Sequence, residues 1–137
     1  MESDNWKNLN NYEIKPNEYF SELIMEFPAL KTEIESQDSE MVHFRMEFFS
    51  DYNIQQIKTK NITELKRCFD FQEIRIEKLN SDLINALNVS YCESLLLGEC
   101  AKEMTEIMKL MPPKLKKNYV EYEKYYNELT KLKKTNA

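Results

Sequence analysis

SDLINALNVSYCESLLLG, residues 81–98, decides how the rest of the chain is read. At about 100° per residue, Leu83, Ile84, Ala86, Leu87, Val89, Tyr91, Leu95 and Leu96 cover most of a helix circumference. Only a narrow polar strip is left, from Ser81 through Asn85 and Asn88, with Cys92 continuing it. A helix that is apolar nearly all round packs on several sides. The stretch from about 81 to 97 therefore reads as a central helix wrapped by its neighbours, leaving no room for a reactive cleft. Gly98 reads as its stop, because glycine enters the left-handed conformation cheaply.

Working outward, residues 1–16 are polar with isolated Trp6, Leu9, Tyr12 and Ile14, and read as a loosely ordered arm. A first helix is predicted after Asn17 as N-cap, with Phe20, Leu23, Ile24 and Phe27 at helical spacing and Pro28 ending it. Asp38 or Ser39 reads as the cap of a second helix running to about Lys58. Its wide face combines a stripe of Met41, Phe44 or Arg45, Phe48 and Tyr52 with a second of Val42, Met46, Phe49 and Ile57. Asn61 followed by Glu64 has the form of a capping box. The helix behind it carries Leu65, Cys68, Phe69, Phe71, Ile76 and Leu79 to a break near Asn80. A shorter helix covers Glu99 to about Leu110, and Pro112 and Pro113 suit the first turn of a last one. There Leu115, Tyr119, Tyr122, Tyr126 and Leu129 form a heptad-like seam, with Tyr125 off it and facing solvent. Short connections make neighbours antiparallel. The fold class is all-α: one domain over 1–137, five or six helices in a bundle or a short array of hairpins, with a frayed tail at 133–137.

Composition narrows the function. The chain has 137 residues, enough for one core that needs no metal or disulfide. Its one glycine excludes phosphate-cradling loops and dinucleotide fingerprints, which need several where backbone meets ligand. Three scattered cysteines, Cys68, Cys92 and Cys100, form no C-x-x-C pair and read as reduced thiols in a cytoplasmic protein. The opening MESDNWKNLN lacks the basic start and apolar run of a secretory signal, and no stretch is apolar enough to span a bilayer. Net charge is −5, unevenly spread: residues 1–60 carry 12 acids and 6 bases, whereas 109–137 carry 8 lysines and 3 glutamates. An acidic chain meets basic partners more readily than nucleic acid.

No constellation carries catalysis, so no catalytic residue, metal ligand or cofactor is expected. His43 is the only histidine, without a cysteine within twenty residues, and reads as structural in an apolar helix. It could pair with Cys68, Cys92 or Cys100 only if the fold joined them, and apolar surroundings would raise those thiols. Glu33, Glu35, Asp38 and Glu40 form the densest acid cluster, but without the glycine and terminal acid of a calcium loop. They read as a solvated or partner-facing patch, with Trp6 and Tyr12 as candidate aromatic anchors or, equally, as pins of the arm to its own domain.

Three stretches carry a resemblance. F-P-x-L-K at Phe27 to Lys31, A-L-N-V-S-[YF] at Ala86 to Tyr91, and L-M-P-P-x-L-[KR]-K at Leu110 to Lys117 are together similar to an uncharacterised bacterial family of all-helical single-domain proteins, a domain of unknown function. The resemblance spans about residues 20–125 and departs at Leu96, Leu97 and Gly98, where members are more acidic or aromatic. It implies an all-helical fold and a bacterial cytoplasmic origin, and names no site. The expected function is a non-enzymatic protein-binding module. By analogy with small acidic immunity proteins, its partner would be a toxin encoded nearby, met through Glu33, Glu35, Asp38 and Glu40. The alternative is a nucleic-acid or regulatory binder using Lys114, Lys116, Lys117, Lys131, Lys133 and Lys134.

Overall fold

The computed structural model describes residues 12–135, with side chains through Leu132; Trp6 and most of the polar arm lie outside the described residues. The described chain is all-α, and its one pairing of extended backbone is an isolated bridge between Ile14 and Leu79. That bridge corrects the expectation of a loose arm up to residue 16. The Ile14 N–H donates to Lys78 O at 2.7 Å and the Ile14 carbonyl accepts from Asn80 N–H at 3.0 Å. Ile14 itself is buried.

Helix α1, Pro16–Glu26, starts two residues earlier than Asn17 would allow as a cap. Pro16 takes the first helical position, where its fixed φ is already helical and its missing N–H is not needed. Tyr19, Phe20 and Leu23 face inward. A tight turn at Pro28–Leu30 leads into the short α2, Lys31–Glu35. Helix α3, Val42–Lys58, begins behind Met41 with no side-chain cap. Asp38 therefore does not cap it; its backbone carbonyl instead accepts from Met41 N–H at 2.9 Å. The buried face of α3 is Met46, Phe49, Ser50, Asn53, Ile54 and Ile57. Met41 and Phe44 are exposed, so the wide face read from the sequence closes up only from Met46 onward. Helix α4, Ile62–Arg75, starts as expected, with the Asn61 side chain accepting from Glu64 N–H at 3.2 Å.

The central stretch is one continuous rod in three parts: α5, Ser81–Ala86; a π-helical turn, Leu87–Cys92; and α6, Glu93–Leu97. The Asn80 side chain caps it, accepting from Leu83 N–H at 3.0 Å. After short turns and the single-turn α7, Met104–Ile107, the long α8 runs over Pro113–Thr135. Helix α3 lies along all three parts of the central rod, while α8 packs on α4, the π turn and α6. Phe49 is the hub of the core: its ring meets Phe27, Phe71 and Tyr91 at centroid distances of 5.4, 5.7 and 5.6 Å. Burying one such ring contributes about 1.5–3 kcal/mol.

Gly98 does stop the rod, though not by left-handed geometry. Its φ of −78° and ψ of −168° are extended backbone. What requires glycine is space, because a Cβ there would sit 2.2 Å from the carbonyl oxygen of Ser94. Among the described residues the one positive φ outside glycine belongs to Lys60, at 59°, where α3 turns into α4. The heptad seam of α8 holds for Leu115 and Tyr119, which are buried. It then loosens through half-buried Tyr122 and Tyr126 to exposed Leu129 as the helix leaves the body.

Candidate protein-binding surface

The π turn changes which residues of the central rod face water. In a straight α-helix, steps of four residues drift by about 40° each, so Asn85, Val89, Glu93 and Leu97 would fan across about 120°. A turn closed by i→i+5 bonds holds one extra residue, which removes about 100° of that drift and brings the four back to one line. The structure follows this register: Asn85 and Leu97 are exposed, Glu93 is half-buried, and Val89 is 43% exposed. Cys92, expected to continue the polar strip, is instead fully buried. The rod is thus wrapped over most of its girth but leaves one line open, which the regular-helix reading missed.

Two shallow grooves flank that line. On one side, α8 contributes Asn118, Glu121, Tyr122 and Tyr125 opposite Asn85, Asn88 and Val89, around about 370 Å³. Asn118 donates to Asn88 Oδ1 at 2.8 Å and the Tyr122 hydroxyl donates to Glu93 Oε1 at 3.2 Å, holding α8 to the rod. On the other side, Glu47 of α3 stands beside Val89, Glu93, Ser94, Leu97 and Gly98, around about 300 Å³.

His43 sits at the α3 edge of Asn85. Asn85 Nδ2 lies 3.3 Å from His43 Nε2, and His43 Nδ1 lies 2.8 Å from Ser90 Oγ, both at hydrogen-bond distance. Asn85, His43 and Ser90 thus form one short chain of polar contacts. Ser90 is also buried. The trio braces α3 against the π turn. His43 is thereby bonded to Ser90 and Asn85, not to a thiol. The three cysteines are free and buried, and burial pushes the Cys92 thiol up to about 12 and raises Cys68 as well. Neither is a thiolate nucleophile near neutrality.

Glu33, Glu35, Asp38 and Glu40 are all exposed, and among the described residues none of them forms an ion pair. Arg45 holds their loop in place with two bonds to Gln37 O, at 3.1 and 2.7 Å. The four do not make one knot. Glu33 faces Asp51, whose carboxyl is raised by partial burial and then by the charges of Glu33 and Glu99. Glu35 shares a depression with Lys31 and Arg45, and Glu40 shares another with Glu18, Asp82 and Lys15. Tyr12 is exposed and hydrogen-bonds to the Glu18 carboxylate, on the side of the molecule where that second depression lies.

The lysines of α8 are partly committed to the body. Lys114 Nζ lies 3.1 Å from Glu77, and the Glu73 carboxylate caps the helix start, accepting from Lys114 N–H at 3.1 Å and Leu115 N–H at 2.8 Å. Lys117 is exposed, Lys116 is half-buried, and Lys131 is already engaged. The side chains of Lys133 and Lys134 lie outside the described residues. Among the described residues, no cluster of histidine, cysteine and acids is placed to hold a metal, and no helix is long and apolar enough to cross a membrane.

Comparison with curated proteins and with solved structures finds no match. A family model does match, over residues 20–127, which takes in all three sequence motifs, the central rod and most of α8. The chain belongs to the family described as DUF7674, a domain of unknown function.

Proposed function

We propose that the chain is a non-enzymatic protein-binding module of the bacterial cytoplasm, most concretely an immunity-type protein that caps a toxin. The observation that carries the reading is the set of four exposed carboxylates, Glu33 and Glu35 on α2 and Asp38 and Glu40 on the Arg45-braced loop behind it, none of them in an ion pair among the described residues. Unpaired surface acids destabilise a fold slightly through mutual repulsion, and they raise the encounter rate with a basic partner. Buried thiols suit a scaffold and leave the chemistry to the partner.

The test is paired capture from the native host, using the tagged chain and its Glu33→Lys/Glu35→Lys/Asp38→Lys/Glu40→Lys variant, read with the identity of the adjacent gene. The expected result is a basic protein retained by the native chain and lost by the variant, encoded next door. Equal retention by both, or retention of nothing by either, overturns the reading.

A further inference from the structure

We infer that the open line of the central rod is a docking groove for a basic amphipathic helix on the partner protein. The inference rests on the protein-binding reading and places a second, apolar contact surface apart from the acid loop. Its floor is Val89 and Leu97, exposed by 43% and 50%, and Tyr125 of α8 stands beside it at 59%. Exposed apolar side chains scattered singly need no explanation, but these line two adjoining grooves that share Val89. The charges that line them are all of one sign, with Lys114 and Lys117 beyond Glu121 in the next depression along α8. Glu47, Glu93 and Glu121 line the two grooves, and neither groove is lined by a lysine or arginine.

That pattern selects the occupant. A nucleic acid is repelled by the three carboxylates, and an acidic or purely apolar helix leaves them unanswered. A helix with an apolar stripe one side chain wide, edged by lysine or arginine, meets both features at once. The distance from Val89 to Leu97, about 10–11 Å once the extra residue of the π turn is absorbed, matches two helical turns of such a ligand. The walls are already set, since Asn118 and Tyr122 hold α8 to the rod and His43 holds α3 to it. Binding therefore needs little ordering of the groove.

The test uses the full chain and three fluorescein-labelled 18-residue helices: one of leucine and lysine, one with the same leucines and glutamate, and one with the same lysines and serine. Anisotropy is read at 150 mM salt. The leucine–lysine helix is expected to bind at least tenfold more tightly than either control. Val89→Lys, at an exposed position, is expected to weaken it at least tenfold with an unchanged circular dichroism spectrum. Glu47→Gln/Glu93→Gln/Glu121→Gln is expected to weaken it more than Glu33→Gln/Glu35→Gln/Asp38→Asn/Glu40→Gln, although the latter removes more charge. The groove is refuted if the leucine–lysine helix binds no better than the controls. It is also refuted if only the acid-loop variant weakens binding, an outcome that leaves the protein-binding reading standing. A dimer in sedimentation that Val89→Lys dissolves also overturns it, by making a second copy the occupant.

Discussion

Tyr91→Phe removes one oxygen from the middle of the protein, and its cost follows from what that oxygen does. The Tyr91 hydroxyl donates to Asn53 Oδ1 at 2.7 Å, and the Asn53 amide donates to Phe49 O at 2.6 Å. Both residues are completely buried. Without the hydroxyl, Asn53 Oδ1 is left desolvated with no donor, which costs about 1–3 kcal/mol. For a chain of this size that lowers the melting temperature by roughly 3–15 °C. Tyr119 supplies the control, because its hydroxyl is buried with no hydrogen-bond partner among the described residues. Tyr119→Phe removes an unsatisfied group, so its effect is expected within about 0.5 kcal/mol of neutral, or stabilising. The assay is urea unfolding of both variants and of Tyr91→Phe/Asn53→Leu, in which both partners of the bond are apolar. Partial recovery in the double variant is expected. Equal losses for Tyr91→Phe and Tyr119→Phe would refute the bonding pattern assigned to the core.

Gly98→Ala places a Cβ 2.2 Å from Ser94 O, so the end of α6 must shift; a loss of about 1–3 kcal/mol in urea unfolding is expected, and a neutral effect would contradict the close approach. Asn80→Ala removes the acceptor for Leu83 N–H at the start of the central rod, with an expected loss of about 1 kcal/mol. Burial holds the Cys92 thiol at about 12, above its unfolded range. The folded state therefore keeps that proton to higher pH than the unfolded chain does. The associated stability is complete below about pH 8.5 and is lost as pH climbs toward the folded value. Urea midpoints should fall between about pH 9 and 12, and less steeply in Cys92→Ala; an identical slope in the two proteins would contradict the burial of this thiol.

Much of the fold was legible because local chemistry and tertiary packing agree there. Asn61 caps α4 as its spacing with Glu64 announces, and Phe20, Leu23, Phe49 and Phe69 are buried where helical periodicity puts them. The misses have separate causes. Asn17 was a plausible cap, but Pro16 one residue earlier takes the first helical position. Met41 and Phe44 fit the apolar stripe of α3, yet the elements packed on it begin to cover it only at Met46. The open line of the rod was read at Asn85 but not along Val89, Glu93 and Leu97, because an apolar periodicity assumes 3.6 residues per turn throughout. No residue type marks the place where one i→i+5 turn resets that count. The acid loop was found from composition, but its division among different neighbours depends on where Asp51, Arg45 and Asp82 arrive from other helices.

The register of the central rod underlies the surface assigned here, and thiol accessibility reads it directly. Regular helical geometry places Cys92 on the same outward strip as Asn85 and Asn88, whereas the π turn buries Cys92 and turns Val89 outward. The measurement is the reaction of a small disulfide reagent with the native chain and with Val89→Cys under folding conditions. The predicted result is rapid labelling of one thiol in Val89→Cys only, with the native cysteines protected by about 100-fold or more until the protein unfolds. Labelling of Cys92 in the folded native chain as fast as residue 89 in the variant would contradict the register and the groove built on it.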